Sequence, residues 1–167
     1  MRPISIRILL CSFALLCGAH VLAQGIAVNS AREPTHVVFV CEHGSVKSLI
    51  AMEYFNRSVQ ERGLAYRAVA RGTAPEPTVP EPVREGLRNV GFDVSHFVPR
   101  LFDASDVEEA SLVVSFDQDI AKIVGGKARH LAWDNLPGVL TDYARGRDEI
   151  VRHVDDLIDE LARSTAP

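Results

Sequence analysis

Cys41 closes a run of β-branched and aromatic residues, His36-Val37-Val38-Phe39-Val40, and Glu42-His43-Gly44-Ser45-Val46-Lys47-Ser48 follows it directly. A thiol, a cation and a hydroxyl therefore sit close together around a short turn containing Gly44 and Ser45. Apolar residues at helical spacing come next: Val46, Leu49, Ile50, Phe55 and Val59. The pattern predicts a strand, a tight loop and a helix, with the thiol at the strand's end and Lys47 and Ser48 opening the helix. Backbone N–H groups of such a loop point inward and the helix N-terminus adds partial positive charge, so the segment is suited to an anion. A thiol at its mouth is favoured as the thiolate, the nucleophilic form. A nucleophile beside an oxyanion site points to covalent chemistry on phosphate or a phosphate mimic. The plainer reading of Cys41 is a small core hydrophobe at a strand end.

The rest of the chain reads as a scaffold for that loop. The His36–Val40 run fits a strand buried on both faces, and the helix after it carries its apolar stripe to about Val59 and stops at Gly63. Tyr66 to Ala70 is a second strand, ending at Arg71-Gly72-Thr73. Residues 74–82 hold Pro75, Pro77, Pro80 and Pro82, a loop whose last proline opens a helix to about Val90. Asp103-Ala104-Ser105-Asp106 has capping chemistry for a short helix through Ala110. Leu112–Phe116 is a third strand, Gln118–Val124 a helical stretch ended by Gly125-Gly126, and Arg129–Trp133 a fourth strand. In the last helix Ile150, Val151, Val154, Leu157, Ile158 and Leu161 share one face, opposite Arg152, Asp155, Asp156 and Asp159. The alternation predicts an α/β fold, a four-stranded parallel sheet with helices on both faces, whose ligands bind at the carboxyl ends of the strands.

A chain of 167 residues with 47% apolar content forms one domain with its own core. The net charge of −4 and the lack of a basic stripe argue against nucleic acid as a partner. The first residues differ in kind. Met1 to Arg7 is a short cationic start, Ile8 to Leu22 is almost wholly apolar, and Val21-Leu22-Ala23 precedes Gln24, the order of a secretory signal peptide cleaved after Ala23. An uncleaved anchor is the alternative, although the apolar core is short against the ~20 residues a span needs. A lipoprotein box is disfavoured by Leu16 before Cys17. Residues 24–35 read as an extended leader and 36–167 as the domain. Cleavage removes Arg2 and Arg7 and no acid, taking the net charge from −4 to −6. It also removes Cys11 and Cys17, leaving Cys41 as a lone thiol in a secreted or periplasmic protein without stable membrane association.

Cys41-x5-Lys47-Ser48 after an apolar strand resembles the Cys-x5-Arg-Ser loop of the low-molecular-weight protein tyrosine phosphatases and their relatives, the thioredoxin-coupled arsenate reductases. The similarity runs from about His36 to the C-terminus. It implies Cys41 as the nucleophile on phosphorus, Ser48 as the donor that steadies its thiolate, and Lys47 in the clamp position otherwise held by arginine. Residues 42–47, Glu42, His43, Gly44, Ser45, Val46 and Lys47, would wrap the phosphoryl group. Gly44 stands where the phosphatases commonly have a loop-bracing asparagine.

Lysine keeps the charge but loses arginine's bidentate fork. Loss of one well-placed donor costs on the order of 3 kcal/mol of transition-state stabilisation. Arg71 offers a compensating guanidinium, unless it is an ordinary surface arginine. The resembling families place the general acid, an aspartate, directly before a proline after the fourth strand. Here that stretch is Trp133-Asp134-Asn135-Leu136-Pro137-Gly138, so Asp134 is the nearest carboxylate, with Asp142 a weaker substitute; Asp134 can equally serve only to turn the chain. Glu42 disfavours a dianion unless it points outward. His43 is a candidate proton carrier or weak metal ligand, although a lone histidine on an exposed loop usually is neither. With no Cys-x-x-Cys and no His-Glu-x-x-His, neither a metal nor another cofactor is expected.

Three readings follow. The first is a phosphatase-like hydrolase on aryl or protein phosphate, of low activity, working through a phosphocysteine. The second is a non-catalytic oxyanion or phosphopeptide binder, favoured by Lys47, Gly44 and Leu136. The third is arsenate reduction, which in the thioredoxin-coupled branch needs further cysteines to carry the disulfide onward.

Overall fold

The computed structural model describes residues 33–165; the expected signal peptide and most of the leader lie outside them. Nine elements follow in order: β1 Thr35–Cys41, α1 Lys47–Glu61, β2 Tyr66–Gly72, α2 Glu81–Arg88, α3 Ala104–Glu109, β3 Ala110–Phe116, α4 Ala121–Val124, β4 Arg129–Trp133 and α5 Tyr143–Thr165. The four strands form one sheet in the order β2-β1-β3-β4, and every pairing is parallel.

Alternate residues of β1 enter two different cores, as the two-residue period of a strand requires. Val37, Phe39 and Cys41 pack with Leu49, Ile50 and Phe55 of α1, Leu87 of α2 and Ile150, Val154 and Ile158 of α5. Val38 and Val40 pack on the other face with Phe102, Val107 of α3, and Ile120 and Val124 beside and within α4. Helices thus cover both faces, and the central strand is buried throughout from Val37 to Val40. Phe39 anchors β1 beneath the site, its ring centroid 5.6 Å from Phe55, 6.2 Å from Phe116 and 5.8 Å from Trp133. Aromatic groups at such spacings add to the stability of plain burial.

Helix ends follow local chemistry. Gly63 takes the left-handed conformation after α1, with φ 64°, and Asp103 caps α3 by accepting from Ser105 N and Asp106 N. Two expectations change. The helical stretch foreseen over Gln118–Val124 is a single turn, 121–124, because the chain passes through a left-handed residue at Asp117, φ 51°. Ile120 N then donates to the Gln118 carbonyl and Ala121 N to Asp119 Oδ1, a turn that precedes the helix. The helix before β3 stops at Glu109, and Ala110 already begins the strand. Among the described residues no helix is long and apolar enough to cross a membrane.

The chain runs outward from β1 in both directions, to β2 on one side and β3 on the other. A crevice therefore opens beyond the carboxyl ends of β1 and β3, where open α/β sheets receive their ligands.

Candidate active site

Cys41 ends β1 with only 5% of its surface exposed. Its Sγ lies 3.1 Å from Ser48 Oγ, in the first turn of α1, and accepts from the Gly44 amide at 3.3 Å. The Gly44 amide donates to the sulfur, and the Ser48 hydroxyl is placed to donate when the sulfur carries negative charge. Ser48 is itself wholly buried. No side chain caps α1 at Val46, so the N–H groups of its first turn, which have no intrahelical partner, keep their donor capacity.

The loop is braced by backbone, not by a side chain. The carbonyls of Cys41, Glu42 and His43 accept from Thr73 N at 3.0 Å, Ala74 N at 2.8 Å and Glu76 N at 3.2 Å. Gly44 turns the chain at φ 68°, and a Cβ there would lie 2.8 Å from the Gly72 nitrogen; one on Gly72 would lie 2.7 Å from the Gly44 nitrogen. Two glycines thus press back to back, and the segment after β2 takes over the bracing that a side chain at position 44 would provide.

Lys47 reaches a partner that the sequence does not announce. Its Nζ donates to Asp117 Oδ2 at 2.5 Å and to the Leu136 carbonyl at 3.4 Å. Asp117 is the first residue past β3, and its Oδ1 accepts from Asn135 N at 2.7 Å. Asp117 and Asn135 are the two non-glycine residues of positive φ among those described, and they bond to each other at this site. Such conformations cluster where a site needs them. Burial alone would push the Asp117 carboxyl up. The Lys47 hydrogen bond, the Asn135 amide and the ammonium charge outweigh it and hold the group below its ordinary value.

A lowered folded-state pKa stabilises the fold above the unfolded value, near 4, and that contribution disappears as pH falls through the lowered value. Asp117→Asn is therefore expected to weaken the acid dependence of stability below pH 4. It should also free the Lys47 ammonium, tightening the binding of tungstate or phosphate by roughly tenfold; calorimetric titration at neutral pH checks this. Asparagine tolerates the left-handed conformation, so the turn survives the exchange.

A cavity of about 250 Å³ opens over these groups, lined by Cys41, Glu42, His43, Val46 and Lys47 from the loop and by Phe116, Asp117 and Gln118 from the end of β3. Gly138 to Thr141 close its remaining side, with Leu140 55% exposed at the rim. Ser45 is fully buried beneath the loop, and its Oγ has no hydrogen-bond partner. Asp134 is exposed and not among the residues lining the cavity; the carboxylates in that lining are Glu42 and Asp117. Asp142 also lies outside the lining, accepting from Arg145 N at the start of α5. Leu136, before the proline, is buried and contributes its carbonyl alone. Arg71 does not reach the loop. Its Nε donates to Asp106 Oδ1 at 2.7 Å on the α3 side of the sheet, with both side chains largely buried.

The thiol loop between β1 and α1 lies at a sheet switch point, with a hydroxyl beside the sulfur and a cation in the cavity. Residues 36–164 match the family model of the low molecular weight phosphotyrosine protein phosphatases, and the chain belongs to that family. A curated relative, the "Putative arsenate reductase" of Halobacterium salinarum, is 28% identical over 137 residues, covering 79% of this chain and 96% of its own length. Among solved structures, YfkJ from Bacillus subtilis superposes with a TM-score of 0.72 at 15% identity, covering 80% of this chain and 98% of its own. The YwlE arginine phosphatase does so with a TM-score of 0.68 at 19% identity, covering 78% and 98%. At these identities the structural likeness speaks for the fold alone.

Proposed function

We propose that the protein is a phosphatase-like hydrolase of low activity that acts on aryl or protein phosphate through a phosphocysteine on Cys41. The observation that carries this reading is the setting of Sγ, between Ser48 Oγ and the Gly44 amide and open to a cavity that also holds Lys47. Sγ would attack phosphorus. The loop amides and the Lys47 ammonium would hold the phosphoryl oxygens, and Ser48 would steady the thiolate that leaves again. The apolar start of the chain supports an exported protein, cleaved after Ala23 and acting in a periplasm or outside the cell.

Rapid-quench mass spectrometry during hydrolysis of an aryl phosphate tests the reading: one phosphoryl group should be found on Cys41. Lys47→Arg restores a bidentate fork and is expected to raise turnover by about ten- to a hundredfold. No phosphocysteine in either protein would discard the hydrolase.

The Lys47–Asp117 pair favours a second reading, a non-catalytic oxyanion binder, since the ammonium is already engaged by a carboxylate. Binding of tungstate without turnover in the native protein or in Lys47→Arg would select it. Arsenate reduction, suggested by the name of the halobacterial relative, stays third, because Cys41 is the one cysteine among the described residues.

A further inference from the structure

Expulsion of a poor leaving group needs a proton donor in the cavity. The titratable side chains lining it are Cys41, Glu42, His43, Lys47 and Asp117. Cys41 is the nucleophile of the reading above. Lys47 and Asp117 bond to each other, and Asp117, held ionised by its partners, accepts at both oxygens. Asp134 lies outside the cavity, and Leu136, before the proline, has no proton to give.

His43 remains. It lies two residues past the nucleophile on the same braced loop, its own carbonyl tied to Glu76 N at 3.2 Å. A carboxylate flanks each ring nitrogen: Glu42 Oε2 is 3.9 Å from Nε2, and Glu76 Oε1 is 3.7 Å from Nδ1. At these separations the carboxylates act on the ring by charge alone and leave its N–H donors outside short hydrogen bonds. The side chain is 36% exposed, and the residue lines the cavity that holds the thiol. Histidine is also the side chain whose ordinary charge change lies near neutral pH, which lets one group give a proton and take one back.

We propose that His43, on the nucleophile's own loop, is the general acid and base of the hydrolysis, in the role that an aspartate before the proline would otherwise fill. This rests on the hydrolase reading above. In the first step the thiolate attacks phosphorus, the bond from phosphorus to the leaving oxygen breaks, and the imidazolium gives that oxygen its proton. In the second, neutral His43 takes a proton from water as the water oxygen attacks phosphorus. The phosphorus–sulfur bond breaks, releasing phosphate and restoring thiolate and imidazolium. The charged and titratable groups facing the ring are Glu42 on its own loop and Glu76 after β2. Cys41, Lys47 and Asp117 share its cavity.

The test is the dependence on leaving group in the full domain. With phenyl phosphate, whose leaving oxygen needs a proton, His43→Gln is expected to lower kcat/KM by about a hundredfold or more. With 2,4-dinitrophenyl phosphate, whose leaving group departs as the anion, the same variant should stay within about threefold of native in the burst that forms the phosphocysteine. Added imidazole should restore part of the phenyl phosphate activity in His43→Ala and leave the other burst unchanged. Equal losses on both substrates, no loss on either, or no rescue would overturn the assignment while leaving the hydrolase in place. A native protein silent on both substrates would instead remove the hydrolase, and this assignment with it.

Discussion

Replacing Cys41 with serine is expected to lower aryl phosphate hydrolysis at least about a thousandfold, equivalent to ~4 kcal/mol of transition-state stabilisation. The hydroxyl of serine is nearly isosteric, so the packing of the side chain in the α1 core changes little. What changes is the nucleophile: an alcohol holds its proton across the pH range in which a thiol yields a thiolate. Ser48 Oγ, 3.1 Å away, would then face another hydroxyl in place of sulfur. The check is initial-rate hydrolysis at neutral pH, with circular dichroism to confirm that the variant is folded. Oxyanion binding should survive, because the amides and Lys47 remain, and that separates loss of the nucleophile from loss of the site. Residual turnover within tenfold of native would mean that Cys41 is not the attacking atom.

Gly44→Ala is expected to destabilise the domain through both backbone strain and a steric clash. An alanine at φ 68° bears the left-handed penalty, about 1–2 kcal/mol. Its Cβ would also lie 2.8 Å from the Gly72 nitrogen and 3.1 Å from the Arg71 carbonyl carbon, neither of which can move without shifting β2. Overpacking of this kind adds ~1–3 kcal/mol. Gly63→Ala is the internal control, since its φ of 64° is similar but nothing lies within 4 Å of the added carbon. Thermal denaturation should show Gly44→Ala melting roughly 5–15 °C below native and Gly63→Ala only a few degrees below. Hydrolysis should fall in the first variant and hold in the second. Equal melting temperatures would show that the Gly44–Gly72 approach is looser than described.

Much of the fold was legible because its signals are local. The buried run at Val37–Val40, the amphipathic face of α5 from Ile150 to Leu161 and the capping residues before α3 each declare themselves within a few positions. The thiol loop was legible for the same reason, since strand, turn and helix adjoin in sequence. Lys47, Glu42, His43 and Val46 all line the cavity.

The long-range partners were not legible. Asp117 gains its place because β3 pairs with β1, and sheet order is not written in hydrophobic periodicity. Asp117 did carry one signal, its position directly past the carboxyl end of a buried strand. Arg71 neither supplies the loop nor stands free in solvent, since it pairs with Asp106. It pairs in register with Val40 and not with Cys41, so by the two-residue period it faces the α3 side, where Asp106 meets it. The bracing of Gly44 was invisible, because it comes from Gly72 and from amides of residues 73–76, which a reading of the loop alone does not include.

The dependence of the thiol loop on residues 72–76 has a consequence for how the site comes into being. Residues 41–48 contain the reactive groups but do not contain their shape, which is imposed from a segment encountered only after α1 and β2 have been laid down. The nucleophile's geometry is a property of the whole β1–α1–β2 unit. An octapeptide grafted onto another strand and helix would carry the thiol, the lysine and the serine without the carbonyl anchors that aim them. In the folding chain, a competent site can appear only once β2 has docked in register beside β1.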